Sequence, residues 1–325
     1  MTGIFSPYWH PVNSRGFILD WDGVLADTKL DFSGIREKYF NGKRVPLIES
    51  DHLLTSEQRK QLWKDIYELE MYGATHAVAV DGALSLVEWL DKNDIPWAVV
   101  SRNCMDSILE AAEKIGFPLP EVTMSRDDGP QKPDPDALLL AARRIGIQPS
   151  HCVMVGDFLY DMVGARRAGT RAVLVERVDE DWSFWADVCF PTVSEMVTQL
   201  EEPDPFVPWE YHSLVRRKGR KWLERAWELE LMIDGNEPEA AGLVFKAFSL
   251  GAGSISIDPE ARVSMGQWER WAGASPGILD TPLSEALRNY VEGHYPLVSV
   301  NDSHDGAILS GDGHDLEKQM EEMMF

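Results

Sequence analysis

A rhythm of short apolar runs separated by helix-length segments constrains this chain most. The runs fall at 16–21, 96–100, 122–124, 151–155 and 171–176. Between them the periodicity predicts helices from Asp81 to about Lys92, over 105–115, from the Asp134-Pro135 pair, and over 159–168 with a stop at Gly169. Strands alternating with helices of that length imply a parallel sheet with right-handed crossovers, an α/β fold. In such a sheet a ligand sits beyond the carboxyl ends of the strands. The polar clusters of the chain stand at those ends: Asp20, Asp22 and Gly23, then Ser101, Arg102 and Asn103, then Gly156 and Asp157.

Alternate side chains of an extended segment share a face, so Asp20 and Asp22 are expected to point into one pocket. Two carboxylates side by side repel, and a divalent cation or a shared proton relieves that repulsion. Gly23 lets the chain turn sharply and brings backbone N–H groups near whatever is bound. Asp157 and Asp161, spaced i, i+4, can face the same side. So many carboxylates about one point call for a cation. Hard oxygen ligands at a partly open site suit Mg²⁺, which binds together with a substrate phosphate. Lys132 supplies a positive charge to such a phosphate, and the Ser101 hydroxyl with nearby N–H groups supplies donors. Asp20 then serves as a covalent nucleophile. Asp22 protonates the leaving oxygen and later deprotonates water.

The segments Asp20-x-Asp22-Gly-Val-Leu-Ala-Asp-Thr, Ser101-Arg-Asn, Gln-Lys132-Pro-Asp-Pro-Asp and Gly-Asp157-x-x-x-Asp161 resemble the four motifs of the haloacid dehalogenase superfamily. Within it the likeness is to phosphoglycolate phosphatase-like members with a small helical cap, and it covers residues 16 to about 200. The resemblance implies a Rossmann-like core and a Mg²⁺-dependent phosphatase acting on a small phosphorylated metabolite through an aspartyl-phosphate at Asp20. It further implies Asp22 as acid and base, with Asp20, the Asp22 carbonyl and Asp157 on the metal. Asp161 supports the metal's water or Lys132. Gly23, Arg102 and Asn103 are candidate substrate contacts. The superfamily's dehalogenases lack the second acid of the first motif and its transport ATPases carry threonine there; Asp22 sets this chain apart from both. A phosphomutase shares the core and remains an alternative.

The expected domains are a core over 1–27 and 77–200, a helical cap over 28–76, and a C-terminal extension of unknown fold over 202–325. In the cap, Thr55 and Gln58 predict a capping box, with Leu62, Ile66, Leu69 and Tyr72 on the apolar face of a helix over 56–72. Another short helix is expected near 33–40. Glu201-Glu202-Pro203-Asp204-Pro205, with Pro208 close behind, reads as a linker, and 212–233 as one helix with Arg216, Arg217, Lys218, Arg220 and Lys221 on a solvated face. Weaker helical patterns fall near 237–249 and 283–292. Asn301 to Asp312 superficially resembles a calcium loop, but 297–300 and 307–310 around Asp305-Gly306 fit a β-hairpin better. A further alternative makes 202–325 the working part, a protein-interaction module through which the chain binds a partner or self-associates.

A formal net charge of -23 argues against binding to nucleic acid or anionic membranes and requires local cations wherever an anionic substrate is held. Cys104, Cys152 and Cys189 share no metal-ligand spacing and read as reduced thiols, pointing to a cytoplasmic home. The first 15 residues, read as an extended arm, lack the basic-then-apolar pattern of a secretory signal. No apolar run is long enough to span a bilayer.

Overall fold

The structure is a computed structural model and describes residues 6–272, 274–291, 294–295, 297–309 and 315–324. It divides into two compact units: Ser14–Pro203, and the described residues of Met1–Asn13 with Asp204–Phe325.

The elements of the Ser14–Pro203 unit are, in order, β1 (Gly16–Leu19), β2 (Ala26–Asp27), α1 (Ser33–Phe40), α2 (Ser56–Thr75), β3 (Val78–Ala79), α3 (Ala83–Lys92), β4 (Trp97–Val100), α4 (Met105–Ile115), β5 (Thr123–Met124), α5 (Pro135–Arg144), β6 (Cys152–Gly156), α6 (Leu159–Ala168), β7 (Arg171–Val175), β8 (Val188–Phe190) and α7 (Val193–Glu201). Its main sheet has the order β5-β4-β1-β6-β7-β8, and every pair in it is parallel. Every residue of β1, β6 and β7 is buried. Burial on both faces is why these strands read as unbroken apolar runs rather than alternating ones. Phe17, Ile18 and Leu19 sit at the centre, between β4 and β6.

Two details differ from the sequence expectation. Helix α3 is capped by Gly82 in a left-handed conformation, because the Asp81 carboxylate instead accepts the Ser194 hydroxyl at 2.7 Å. The sheet also gains a sixth strand, β8, followed by α7. Val188-Cys189-Phe190 is a short run with an exposed centre, which conceals it in the sequence.

The insertion leaves and re-enters the core through an antiparallel stem, Ala26 facing Ala79 and Asp27 facing Val78. Thr55 and Gln58 form the expected capping box of α2. Ile35, Phe40, Leu47, Leu62 and Ile66 bury a small core of their own between α1 and α2. Tyr72, expected on the apolar face, is exposed, and Glu70 is buried instead.

The second unit is itself α/β. Its elements are α8 (His212–Lys218), α9 (Arg220–Trp227), β9 (Leu231–Ile233), α10 (Ala240–Ser249), β10 (Ser254–Ile257), α11 (Met265–Arg270), α12 (Leu283–Val291), β11 (Ser299–Asp302), β12 (Ala307–Leu309) and α13 (Leu316–Met324). The strands form one parallel sheet in the order β11-β10-β9-β12. The single helix expected over 212–233 breaks at Gly219, whose φ of 88° ends α8, and its last residues form β9. The expected hairpin is not formed. β11 pairs with β10 and β12 with β9, so the two segments lie on opposite edges of the sheet. Helices α10 and α12 lie where the periodicity places them. Met1 to Phe5, Glu292, Ser310 and Asp312 are outside the described residues. Residues up to 13, expected with the core, group with this unit because Trp9 and Phe206 exchange backbone hydrogen bonds at 2.8 Å.

His10 is fully buried in this second unit, stacked on Phe206 at 5.2 Å, with Nδ1 accepting the Val12 N–H at 3.0 Å. Burial pushes its imidazole down to about 4, against an upward pull from Asp204. An unfolded histidine takes its proton near 6.5, so between the two values the unfolded chain binds more protons than the folded one. Stability from His10 is therefore full above about pH 6.5 and is lost as pH falls toward about 4. We expect urea denaturation to show a loss on the order of 2 kcal/mol across that window, and His10→Phe to flatten it.

Candidate active site

Asp20 follows the last residue of β1 and Asp157 the last residue of β6, neighbouring strands at the point where the strand order reverses. The Asp20 backbone N–H still donates to Val155 O at 2.9 Å, which holds the carboxylate at the sheet edge. Asp20 Oδ1 accepts the Trp21 N–H at 2.7 Å and pairs with Lys132 Nζ at 2.8 Å. Lys132 Nζ also pairs with Asp161 Oδ1 at 2.6 Å. The second Asp161 oxygen accepts the Phe158 N–H at 3.0 Å, in the first turn of α6. Lys132 is 1% exposed and reaches this position from the loop before α5. Carboxylate oxygens of Asp20, Asp157 and Asp161 lie within 4.8 Å of one another.

Three carboxylates thus share two cations, Lys132 between Asp20 and Asp161 and Arg177 beside Asp157, and charge is under-compensated. Burial first, then the Asp161 charge, pushes Asp20 up to about 7 in spite of Lys132. Burial, followed by Asp20 and Asp161, pushes Asp157 up to about 8 against the opposing Arg177. For Lys132, burial alone would lower the ammonium, but the two carboxylates outweigh it and the net direction is upward. An all-oxygen donor set with excess negative charge is the chemistry that accepts a hard divalent cation, so the residues present fit Mg²⁺.

Glycine is required where Asp157 closes in. Gly23 has φ +81°, and a Cβ there would stand 2.4 Å from Asp157 Oδ2. Gly23→Ala is expected to cost about 1–3 kcal/mol in urea denaturation, since both backbone strain and a displaced carboxylate follow. Gly156 plays a similar part, with a Cβ there meeting Asp161 Cβ at 2.3 Å.

Asp22 stands apart from the three-carboxylate group. Its Oδ1 accepts the Thr28 N–H at 3.0 Å and the Thr28 hydroxyl, at the mouth of the insertion's stem. Burial raises its carboxyl, and the Thr28 bonds pull the other way. Ser101 and Asn103 are buried in the loop after β4, where Ser101 Oγ accepts the Asn103 N–H at 3.1 Å. Arg102, a candidate substrate contact, places its fork on the Lys132 carbonyl and on Glu49 Oε1, the latter at 2.8 Å, and lies 4.5 Å over the Tyr160 ring. Cys104, buried and unpaired with any other cysteine, begins α4.

Two features were missed in the sequence. Arg177 Nε sits 3.0 Å from Asp157 Oδ2, with its guanidinium 5.5 Å over Phe158. It lies just past the end of β7, so the strand-end rule that located the other clusters would have found it. Glu70 of α2 pairs with Arg126, both almost fully buried. Its signal was its place four residues after Ile66 and eight after Leu62, on the buried stripe of the helix.

A parallel α/β core with a carboxylate and lysine cluster at its strand reversal, interrupted by a helical insertion, defines a Rossmann-like fold with a built polar site. Residues 15–169 match the model of the haloacid dehalogenase-like hydrolase family, a hydrolase domain that spans just under half of the chain. The chain is similar to hexitol phosphatase A of Escherichia coli (strain K12), 29% identical over 180 residues that cover 50% of this chain and 82% of the relative. It is also similar to phosphoglycolate phosphatase 1 of Pseudomonas aeruginosa, 25% identical over 51% of this chain and 70% of the relative. The crystal structure of a hydrolase from Pseudomonas syringae shares the fold, with a TM-score of 0.50, 24% identity, and coverage of 58% of this chain and 99% of that one. The family model ends at residue 169, well before Asp204, where the main segment of the second unit starts. No described helix is long and apolar enough to cross a membrane.

Proposed function

We propose that this protein is a Mg²⁺-dependent phosphatase that hydrolyses a small organic phosphate monoester through an aspartyl-phosphate at Asp20, in the cytoplasm. One observation carries this reading: Asp20 projects from the sheet edge into a carboxylate cluster with a buried lysine 2.8 Å from one of its oxygens. Lys132 and Trp21 N–H both engage Oδ1, which leaves Oδ2 to attack phosphorus. The bond from Oδ2 to phosphorus forms as the ester P–O bond breaks, and the departing oxygen takes a proton from Asp22. A raised Asp22 carboxyl suits that donor role. Asp22 then takes a proton from water, whose oxygen attacks the phosphorus and frees Asp20 with inorganic phosphate.

Asp20, Asp157 and the Asp22 backbone carbonyl would hold Mg²⁺, which supplies charge neutralisation to the phosphoryl oxygens. Both Asp161 oxygens are engaged, one by Lys132 and one by Phe158 N–H, so Asp161 acts by fixing the ammonium. Lys132 and the Ser101 loop hold the phosphate within a strongly acidic protein. The similar proteins, a hexitol phosphatase and a phosphoglycolate phosphatase, support a small phosphorylated metabolite as the substrate class.

The test is inorganic phosphate release from a panel of sugar, polyol and carboxylate phosphate esters, with Mg²⁺ and with EDTA. Turnover that needs Mg²⁺ supports the reading. A folded, Mg²⁺-binding protein that releases phosphate from none of them overturns it, and isomerised sugar phosphate without release would assign a mutase.

A further inference from the structure

The loop that carries Ser101 is gripped by the cap. Glu70, on α2 of the insertion, accepts the Cys104 N–H with Oε2 at 3.1 Å. Its Oε1 pairs with the Arg126 guanidinium, and the two side chains are 2% and 6% exposed. Arg126 in turn donates its backbone N–H to Asn103 O at 3.0 Å, so both ends of the contact close on the same four-residue loop, Ser101–Cys104. The Arg126 guanidinium lies 5.3 Å over Trp63, another α2 residue, whose indole donates to Asp51 at 3.0 Å. At the other side of the loop, Glu49 of the insertion takes Arg102 at 2.8 Å.

A charged pair buried this deeply is a poor way to gain stability, because the desolvation cost offsets the attraction. Apolar residues would glue α2 to α4 as well. What the pair supplies instead is direction. Glu70 and Arg126 fix the N–H of Cys104 and the carbonyl of Asn103, and through the Asn103 N–H they fix Ser101 Oγ. We propose that Glu70 and Arg126 are positioning residues through which the cap sets the geometry of the 101–103 loop. On the phosphatase reading, on which this role rests, that loop orients the donors that hold the transferred phosphoryl group. The cap then does more than cover the site: the loop takes its working shape only while α2 is seated.

The test uses the full chain with Glu70→Gln and the double variant Glu70→Leu/Arg126→Met. The double variant removes both charges together and avoids a lone buried ion, so it is expected to fold with a Tm close to wild type. Amide hydrogen exchange at Asn103 and Cys104 is expected to quicken about tenfold, and kcat on the best ester of the panel to fall by about tenfold with a smaller change in KM. Inhibition by inorganic phosphate should weaken in parallel. Glu70→Gln keeps one acceptor oxygen and should lie between wild type and the double variant in both readouts. Wild-type exchange and wild-type kcat in the folded double variant would overturn the proposal. If the double variant does not fold, the same outcome in Glu70→Gln overturns it. Exchange needs no substrate, so a wild type inactive on every ester counts against the phosphatase reading, while the exchange result still decides this one.

Discussion

Asp20→Asn is expected to lower kcat for phosphate release by about 10⁴-fold or more while leaving the protein folded. An amide oxygen is too weak a nucleophile to form the acyl-phosphate bond, so no route through position 20 survives. The asparagine carbonyl can still accept from Trp21 N–H and Lys132, which hold Asp20 at 2.7 and 2.8 Å. Removing one of three mutually repelling carboxylates also relieves Asp157, which is pushed up to about 8 partly by Asp20. The metal-free variant should therefore melt at or above the wild-type Tm. Phosphate release and differential scanning calorimetry, run side by side, check both halves. Retained turnover would remove Asp20 as nucleophile, and a collapsed Tm would mean that its charge is needed by the fold.

Lys132→Met should damage activity and stability together. The ammonium is the cation paired with both Asp20 and Asp161 in a site where it is 1% exposed. Deleting it strands buried carboxylates, a loss of about 3–5 kcal/mol in urea denaturation. It also removes a charge aimed at the phosphoryl oxygens, worth about 10²–10³ in kcat. The sign of the pH dependence follows from the same charges. Asp20 already stands near 7 with Lys132 opposing the rise, and without Lys132 it moves higher. A carboxyl whose folded value exceeds its unfolded one favours the protonated folded state, so the variant should be most stable in acid and weaken as pH rises through neutrality. Lys132→Met with Asp161→Asn should recover stability but not turnover. Lys132→Arg should not rescue activity, because a planar guanidinium cannot take the place of a compact ammonium between two carboxylates.

How much of this was legible in the sequence varied with burial. The strands β1, β4 and β6 stood out because both of their faces are covered, and each ran into a polar cluster at its carboxyl end. That physical rule placed Asp20, Asp22, Ser101, Asn103 and Asp157 at one sheet edge; Asp20, Asp157, Asp161 and Lys132 do meet there, while Asp22 turns to Thr28. The second unit was much less visible. Its β9 has only three residues and follows directly on the amphipathic Trp222–Trp227 stretch, so the helical period masks it. β10 reads Ser-Ile-Ser-Ile, an alternation too short to separate from a loop without its partners.

Residue types, their order and their spacing were enough to determine the α/β rhythm of the first unit, the strand ends where chemistry collects, and the demand for a cation. Those properties depend on local periodicity and on what like charges must do when they are crowded together. Which charged side chains were partners and which were solvated was decided only by tertiary structure. The helical period places Glu70 on the buried stripe of α2, but it does not name its partner Arg126, 56 residues further on. Arg102 looks like a free cation until Glu49 and the Lys132 carbonyl take its fork. A long-range ion pair leaves no period in a sequence, because its energy depends on distance and burial in the folded chain, and both are set by everything that packs around it.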